Sequence, residues 1–220
     1  MSDAEPRVFV VDDEASVRES LRLLIESAGW QPETFESAQE FLARPRVWVP
    51  SCLLLDVVLP DLNGCDLQRL LADRTDMPII FISGHGDVPT TVRAMKAGAA
   101  DFFTKPLAGD ALLNAIRSAI DRSCTALGEA WHMRTMWDCY ASLSRREREV
   151  MVLITAGLLN KEVGWELGIS EVTVKAHRSS LMRKMNADSL PGLVRMADKL
   201  RLTLGRTDWR RSRMLIGSGA

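Results

Sequence analysis

The sequence predicts two domains: a doubly wound α/β domain with a five-stranded parallel sheet, followed by a small all-α domain. Three observations support this. Between residues 7 and 122, short apolar runs alternate five times with amphipathic stretches, as in parallel strands joined by crossover helices. From residue 143 onward the pattern is helical. The net charge also changes from negative to positive: residues 1–142 contain 13 Lys and Arg against 21 Asp and Glu, and residues 143–220 contain 15 Lys and Arg against 8 Asp and Glu.

Five short runs predict the strands of the first domain. Four are mostly apolar, as parallel strands covered on both faces require, and the second is polar enough to be an edge strand. In chain order, the predicted strands are Arg7–Val11, Gln31–Phe35, Cys52–Asp56, Met77–Ser83 and Ala100–Thr104.

Helical spacing marks the connecting helices most clearly near the two ends of this domain. The first apolar stripe stops at Gly29, a residue type that commonly ends helices. The two stripes consist of Leu21, Leu24, Ile25 and Ala28, and of Leu112, Leu113, Ile116, Ala119 and Ile120.

The domain boundaries follow from changes in this pattern. The first domain is predicted to cover residues 1–122 and the second residues 143–202. Residues 123–142 have no clear period, so we expect a partly helical linker there. Residues 203–220 are basic and end in small residues, which predicts a disordered tail.

Breaks rich in glycine and polar residues divide the second domain into helices. Its first helix has the signature of a capping box, because Ser144 precedes Glu147 by three residues. Gly157, residues 168–170 and residues 186–188 interrupt the helical pattern. The predicted helices span residues 145–156, 160–167, 171–185 and 189–201.

Composition excludes several classes of protein. The four cysteines and three histidines have neither the spacing of zinc sites nor that of redox dithiols, which favours reduced thiols in a cytoplasmic protein. No apolar run approaches the roughly 20 residues needed to cross a bilayer, so we expect no membrane contact. The acidic first domain suits a site that concentrates cations, and the basic second domain suits contact with phosphates.

Charged or hydroxyl side chains follow the central strands of the predicted sheet where each strand ends. Asp12 and Asp13 follow the first strand, and Asp56 closes the third. Ser83 closes the fourth strand, and Lys105 follows the fifth. Because the carboxyl ends of parallel strands meet at one edge of a sheet, these side chains are expected to form one site.

The chemistry of this set points to phosphoryl transfer. Gathered carboxylates repel one another unless a divalent cation lies between them, and Mg²⁺ prefers oxygen ligands. Beside such an ion, a carboxylate can attack phosphorus and form an aspartyl phosphate. Lys105 and the Ser83 hydroxyl would then bind phosphate oxygens.

Four segments of the first domain carry a family pattern: VVDDE (10–14), LDVVLPDLNG (55–64), ISGH (82–85) and KAGAADFFTKP (96–106). With them the domain resembles the receiver domains of two-component response regulators, which have a flavodoxin-like fold. The resemblance implies that a sensor histidine kinase donates a phosphoryl group to Asp56. It also implies that Asp13, Asp56 and the carbonyl of Val58 hold Mg²⁺, with Asp12 assisting through a metal-bound water.

The same resemblance implies a switch pair, Ser83 and Phe102. In the family, phosphorylation draws the hydroxyl toward the phosphate, the aromatic ring turns inward, and the surface of the fourth helix and fifth strand changes. Phe102 stands where a tyrosine is often found, and it has no hydroxyl. Lys105 would form a salt bridge to the phosphorylated site, and its peptide bond to Pro106 would be cis.

The second domain contains the pattern of a helix, a short glycine-containing turn and a second helix, which is a helix-turn-helix over residues 162–185. The second helix of such a unit enters the major groove of DNA, with apolar side chains inward and polar ones outward. The inner-face candidates are Val172, Leu181, Met182 and Met185, and the outer-face donors are Thr173, Lys175, Arg178, Ser179, Arg183 and Lys184.

The segments LSRREREV (143–150), GLLNKEV (157–163), LGIS (167–170) and TVKAH (173–177) resemble the LuxR-type helix-turn-helix of the FixJ and NarL class. The resemblance places Glu147 and His177 at contacts between helices, and the pair Gly164-Trp165 departs from the small residues usual there. By position it implies base-edge contacts from Lys175, Ala176 and Ser179, and phosphate contacts from Asn160, Lys161, Thr173, Arg178 and Lys184.

These features predict a transcriptional regulator rather than an enzyme. Phosphorylation of Asp56 is expected to make two copies pair through the fourth helix and fifth strand and bind paired half-sites in promoter DNA. Two alternatives stay open. A phosphatase of the haloacid dehalogenase class also uses carboxylates and magnesium, although its Asp-x-Asp signature differs from the adjacent Asp12 and Asp13. A scaffold protein would carry the same acids without meeting a kinase.

Overall fold

The structure is a computed structural model that describes residues 5–84 and 88–204, without the side chains of residues 201–204. The chain divides into two compact units, Met1–Ala130 and Trp131–Ala220. Most of the expected disordered tail lies outside the described residues, and residues 203 and 204 continue a helix. Over the described ranges, no helix combines the length and the apolar character needed to cross a membrane.

The first unit contains a five-stranded parallel sheet in the order β2-β1-β3-β4-β5, the flavodoxin-like order. This confirms the predicted strands to within two residues and places the second strand at an edge. The strands are β1 (Arg7–Val11), β2 (Gln31–Phe35), β3 (Ser51–Asp56), β4 (Ile79–Ser83) and β5 (Asp101–Thr104).

Helices cover both faces of this sheet, which makes the domain doubly wound. Along β1, Val8 and Val10 belong to one hydrophobic cluster and Phe9 and Val11 to another, because successive side chains of a strand point to opposite faces. The first and last helices pack on the first cluster and the three between them on the second. These helices are α1 (Ala15–Ser27), α2 (Ala38–Ala43), α3 (Gly64–Leu70), α4 (Val88–Lys96) and α5 (Gly109–Ala141).

The expected linker is helical up to residue 141, because α5 continues through it. Ser123 attaches α5 to the sheet: its Oγ accepts a hydrogen bond from the backbone N–H of Ser51 at 2.9 Å and donates one to the carbonyl of Asp76. None of residues 124–135 is buried, whereas Met136 joins the core of the second unit. The central part of this helix therefore has no buried apolar stripe.

The second unit consists of helices close to the predicted ones, with bounds that differ by three residues at most. Gly157, Gly168 and Asn186 have φ angles of 97°, 64° and 52°, so the predicted breaks fall where the backbone becomes left-handed. The capping box of Ser144 and Glu147 is also confirmed. The helices are α6 (Arg145–Thr155), α7 (Asn160–Leu167), α8 (Glu171–Lys184) and α9 (Leu190–Leu204).

The unusual pair Gly164-Trp165 has a simple explanation in α7. A Cβ atom on Gly164 would lie 2.8 Å from the carbonyl oxygen of Ile169, so only glycine allows this close approach of the turn. Trp165 is 86% exposed and needs no space in the core.

Candidate functional site

Three carboxylates meet at the carboxyl edge of the sheet. Asp12 directly follows β1, and Asp56 ends the neighbouring strand β3. Asp12, Asp13 and Asp56 each offer an oxygen atom, and these atoms all lie within 4.8 Å of one another. Asp12 and Asp56 are buried and Asp13 is exposed, so the cluster lies at the surface. The structure thus brings together the acidic residues predicted from the strand ends.

Lys105 lies against the same cluster. Its Nζ is 2.8 Å from Oδ2 of Asp56, 2.9 Å from Oδ2 of Asp12 and 3.3 Å from Oε1 of Glu14. The backbone N–H of Lys105 donates to the carbonyl of Ser83 at 2.8 Å, which fixes the residue beside the end of β4. The bond from Lys105 to Pro106 is cis, as the resemblance to receiver domains implies. Glu14 was not predicted as a contact, although it stands in the VVDDE segment.

Burial and pairing set the charges of this cluster. Burial raises the pKa of Asp12 above its ordinary value, although hydrogen bonds from Lys105 and from the backbone of Glu14 oppose the rise. Burial would lower the pKa of Lys105, but its hydrogen bonds to Asp56 and Asp12 outweigh this and raise it. One ammonium group therefore faces several carboxylates. An excess of oxygen ligands and negative charge fits a divalent cation such as Mg²⁺.

The loop after β3 fixes the orientation of Asp56. Its Oδ1 accepts a hydrogen bond from the backbone N–H of Val58 at 2.9 Å. The backbone N–H of Gly64 donates to the carbonyl of Val57 at 2.9 Å, which closes the loop. A Cβ on Gly64 would clash with the carbonyl oxygen of Asp56 and lie 3.2 Å from Cε1 of Phe81. Gly64 is thus a positioning residue that sequence reasoning missed, although it ends the LDVVLPDLNG segment.

The two switch candidates lie on the adjacent strands β4 and β5. Ser83 is buried at the end of β4. Phe102 of β5 is half-buried, and its ring stacks on Phe81 with centroids 6.1 Å apart. Phe102 therefore packs against the core while remaining partly accessible.

In the second unit, three of the four predicted inner-face residues of the recognition helix, α8, pack in the core, with Met182 half-buried, and one of the four does not. Val174, Leu181 and Met185 are buried, whereas Val172 is 76% exposed. The expected inner-face position of Val172 is wrong, because 200° of helical rotation separates it from the buried Val174. Among the predicted base-edge and phosphate residues, those exposed to solvent are Lys161, Thr173, Lys175, Ala176 and Ser179.

The remaining predicted DNA contacts are half-buried and have partners within the unit. Arg178 donates to Oδ1 of Asn160 at 3.2 Å, which joins α8 to the start of α7. Lys184 lies 2.7 Å from Oε2 of the buried Glu147. Burial would raise the pKa of Glu147, but hydrogen bonds from Lys184, Ser180 and Ser144 lower it to about 2. Lys184 therefore contributes to the contact between α6 and α8.

Both units match known families and proteins. Residues 8–117 match the family described as response regulator receiver domain, and residues 141–197 match bacterial regulatory proteins of the luxR family. Response regulator protein TodT of Pseudomonas putida is 43% identical over 205 residues, which cover 93% of this chain and 90% of TodT. Transcriptional regulatory protein FixJ of Rhizobium meliloti is 41% identical over 191 residues, covering 86% of this chain and 94% of FixJ. The structure of response regulator StyR has a TM-score of 0.81 at 45% identity, and the match covers 89% of this chain and 100% of StyR.

Proposed function

Since this chain belongs to the response regulators that join a receiver domain to a LuxR-type DNA-binding domain, we propose that Asp56 accepts its phosphoryl group. The family consists of phosphorylation-controlled transcriptional regulators and not of classical enzymes. The observation that carries the proposal is that Asp56 lies beside two further carboxylates and Lys105, whose Nζ lies 2.8 Å from Oδ2 of Asp56. An incoming phosphoryl group needs nearby cations, and Lys105 together with a Mg²⁺ ion held by the carboxylates would supply them.

The receiver domain implies a histidine kinase as partner. A carboxylate oxygen of Asp56 attacks the phosphorus, and the bond from phosphorus to the kinase imidazole breaks. Asp13, Asp56 and the Val58 carbonyl would hold Mg²⁺, with Asp12 assisting through a metal-bound water, and the ion would neutralise charge on the phosphoryl group. Lys105 binds one phosphate oxygen, and the Ser83 hydroxyl donates to another. Hydrolysis of the acyl phosphate restores Asp56, so the chemistry of the chain is limited to self-catalysed phosphoryl transfer and dephosphorylation.

The output of this reaction is pairing of two copies. Movement of Ser83 and Phe102 changes the surface of α4 and β5. Val88, Val92 and Met95 recur at helical spacing on α4, and all three are exposed, so they offer an apolar stripe that a second copy can cover.

Paired copies place two α8 helices on paired half-sites of promoter DNA in the cytoplasm. The exposure of Lys175, Ala176 and Ser179 supports contacts with base edges. The predicted phosphate contacts are Asn160, Lys161, Thr173 and Arg178, with Lys184 less available because it pairs with Glu147.

Labelling and size measurements test this proposal. The full chain is treated with acetyl phosphate and Mg²⁺, and Asp56→Asn is treated in parallel. We expect labelling and a doubled mass in size-exclusion chromatography for the wild type only. Equal labelling of Asp56→Asn would move the acceptor to another residue, and an unchanged mass with unchanged DNA affinity would reject pairing as the output.

A further inference from the structure

Val172 is an exposed apolar side chain at the start of α8. It is 76% exposed, and it is the second residue of the helix. At 100° of rotation per residue, Val172 lies within about 60° of Lys175, Ala176 and Ser179 on the helix surface. These three are the predicted base-edge residues, and Val174 on the opposite side is fully buried. Val172 therefore extends the DNA-reading face by one turn toward the helix N-terminus.

The N-terminal residues of a recognition helix are those that contact base edges. A valine side chain has no hydrogen-bonding group, so it contributes nothing to phosphate contacts and cannot read the donor and acceptor pattern of a base. The apolar group that base pairs present in the major groove is the C5-methyl of thymine. Burying a β-branched side chain against that methyl group removes apolar surface of both partners from water.

We propose that Val172, together with Ala176 one turn further along α8, binds the C5-methyl group of a thymine in each half-site. Val172 is thereby a specificity-determining residue, and Lys175 and Ser179 supply the hydrogen bonds to neighbouring bases. The inference rests on the proposed entry of α8 into the major groove.

The test compares thymine with deoxyuridine, which lacks only the C5-methyl group. Duplexes are first selected from a randomised library with the phosphorylated full chain, and each thymine of the selected site is then replaced singly by deoxyuridine. We expect about four-fold weaker binding of the wild type at one thymine per half-site, the effect of one buried methyl group. Val172→Ala should lose most of that sensitivity at the same thymine. Val152→Ala serves as the matched control, because Val152 is an exposed valine of α6.

Each other outcome overturns the inference. Equal deoxyuridine sensitivity of the wild type and Val172→Ala at every thymine would reject a methyl contact by Val172 while leaving DNA binding by α8 intact. Weaker binding of Val172→Ala to selected and random duplexes alike would also reject it. If the wild type selects no sequence at all, both the inference and the proposed function are wrong. Circular dichroism of both variants verifies that they are folded.

Discussion

One added methyl group at Gly64 should disturb both the stability of the first unit and the reactivity of Asp56. A Cβ atom at this position would clash with the carbonyl oxygen of Asp56 and lie 3.2 Å from both the carbonyl carbon of Asp56 and Cε1 of Phe81. Non-bonded carbon atoms are most favourable at about 3.5–4.0 Å. Since the nearest atom belongs to the backbone, it cannot rotate away, and the end of β3 or the start of α3 must shift.

The size of the effect follows from this clash. Overpacking of a buried site costs about 1–3 kcal/mol, and the reduced freedom of the unfolded alanine chain recovers about 0.4–1 kcal/mol. We therefore expect Gly64→Ala to lower the free energy of unfolding of the first unit by about 1–2 kcal/mol. A misplacement of about 1 Å can slow a positioned reaction by about 100-fold, so a smaller shift of Asp56 should slow its phosphorylation by roughly ten-fold.

Urea unfolding and the rate of Mg²⁺-dependent labelling by acetyl phosphate measure the two effects. The control is Gly128→Ala on α5, where an added Cβ meets no atom within 4 Å. This control should keep the labelling rate and gain up to about 1 kcal/mol, because alanine is the better helix former. If Gly64→Ala matches the wild type in stability and in rate, the close approach of Gly64 does not position Asp56, and the reasoning is refuted.

Three more substitutions test other contacts. Lys105→Met removes the ammonium group that pairs with Asp12 and Asp56, so the acidic cluster should bind Mg²⁺ more tightly. In thermal unfolding, Mg²⁺ should therefore raise the Tm of this variant more than the Tm of the wild type. An equal or smaller rise would contradict the view that the ammonium group offsets the negative charge of the cluster. Glu147→Gln should flatten the acid dependence of stability. The pKa of Glu147 in the folded protein is about 2, below its ordinary value of 4.5, so its carboxylate stabilises the second unit above pH 4.5. This contribution to stability is lost as the pH falls toward 2. If the urea midpoints of the wild type and Glu147→Gln change in parallel between pH 4.5 and 2, the carboxylate makes no such contribution. Ser170→Ala removes the cap that accepts from the backbone N–H of Thr173 at 3.1 Å, and it should cost about 1 kcal/mol in urea unfolding, whereas unchanged stability would show that the cap is unimportant.

The sequence predicts the central strands well because buried strands consist mostly of apolar residues. In β3 and β4 every residue is buried, and the runs are correspondingly apolar. Where helix α5 passes through residues 124–135, the sequence predicts only a partly helical linker, because none of these residues is buried and no apolar stripe marks the helix. Apolar residues recur at helical spacing where one face of a helix is buried, so a helical segment without a buried face shows no such pattern in its sequence.

The acidic site was predictable because topology alone brings strand ends together. The burial of Val174 rather than Val172 was also predictable, because on a helix Val174 lies within about 20° of Leu181, whereas Val172 lies about 180° from it. The contacts that depend on tertiary packing were not. Lys184 and Glu147 are 37 residues apart, and their ion pair follows from the packing of α8 on α6. The need for glycine at position 64 depends on the carbonyl of Asp56, which is eight residues earlier in the chain.

DNA binding before and after phosphorylation tests the central claim most directly. Fluorescence anisotropy titrations would measure the affinity of the full chain for a selected duplex, with and without acetyl phosphate and Mg²⁺, for the wild type and Asp56→Asn. Coupling between two sites is commonly about 5–150-fold, so phosphorylation should tighten binding of the wild type by about ten-fold or more and leave Asp56→Asn unchanged. The same response in both proteins, or no response in the wild type, would contradict control of DNA binding by a phosphate on Asp56.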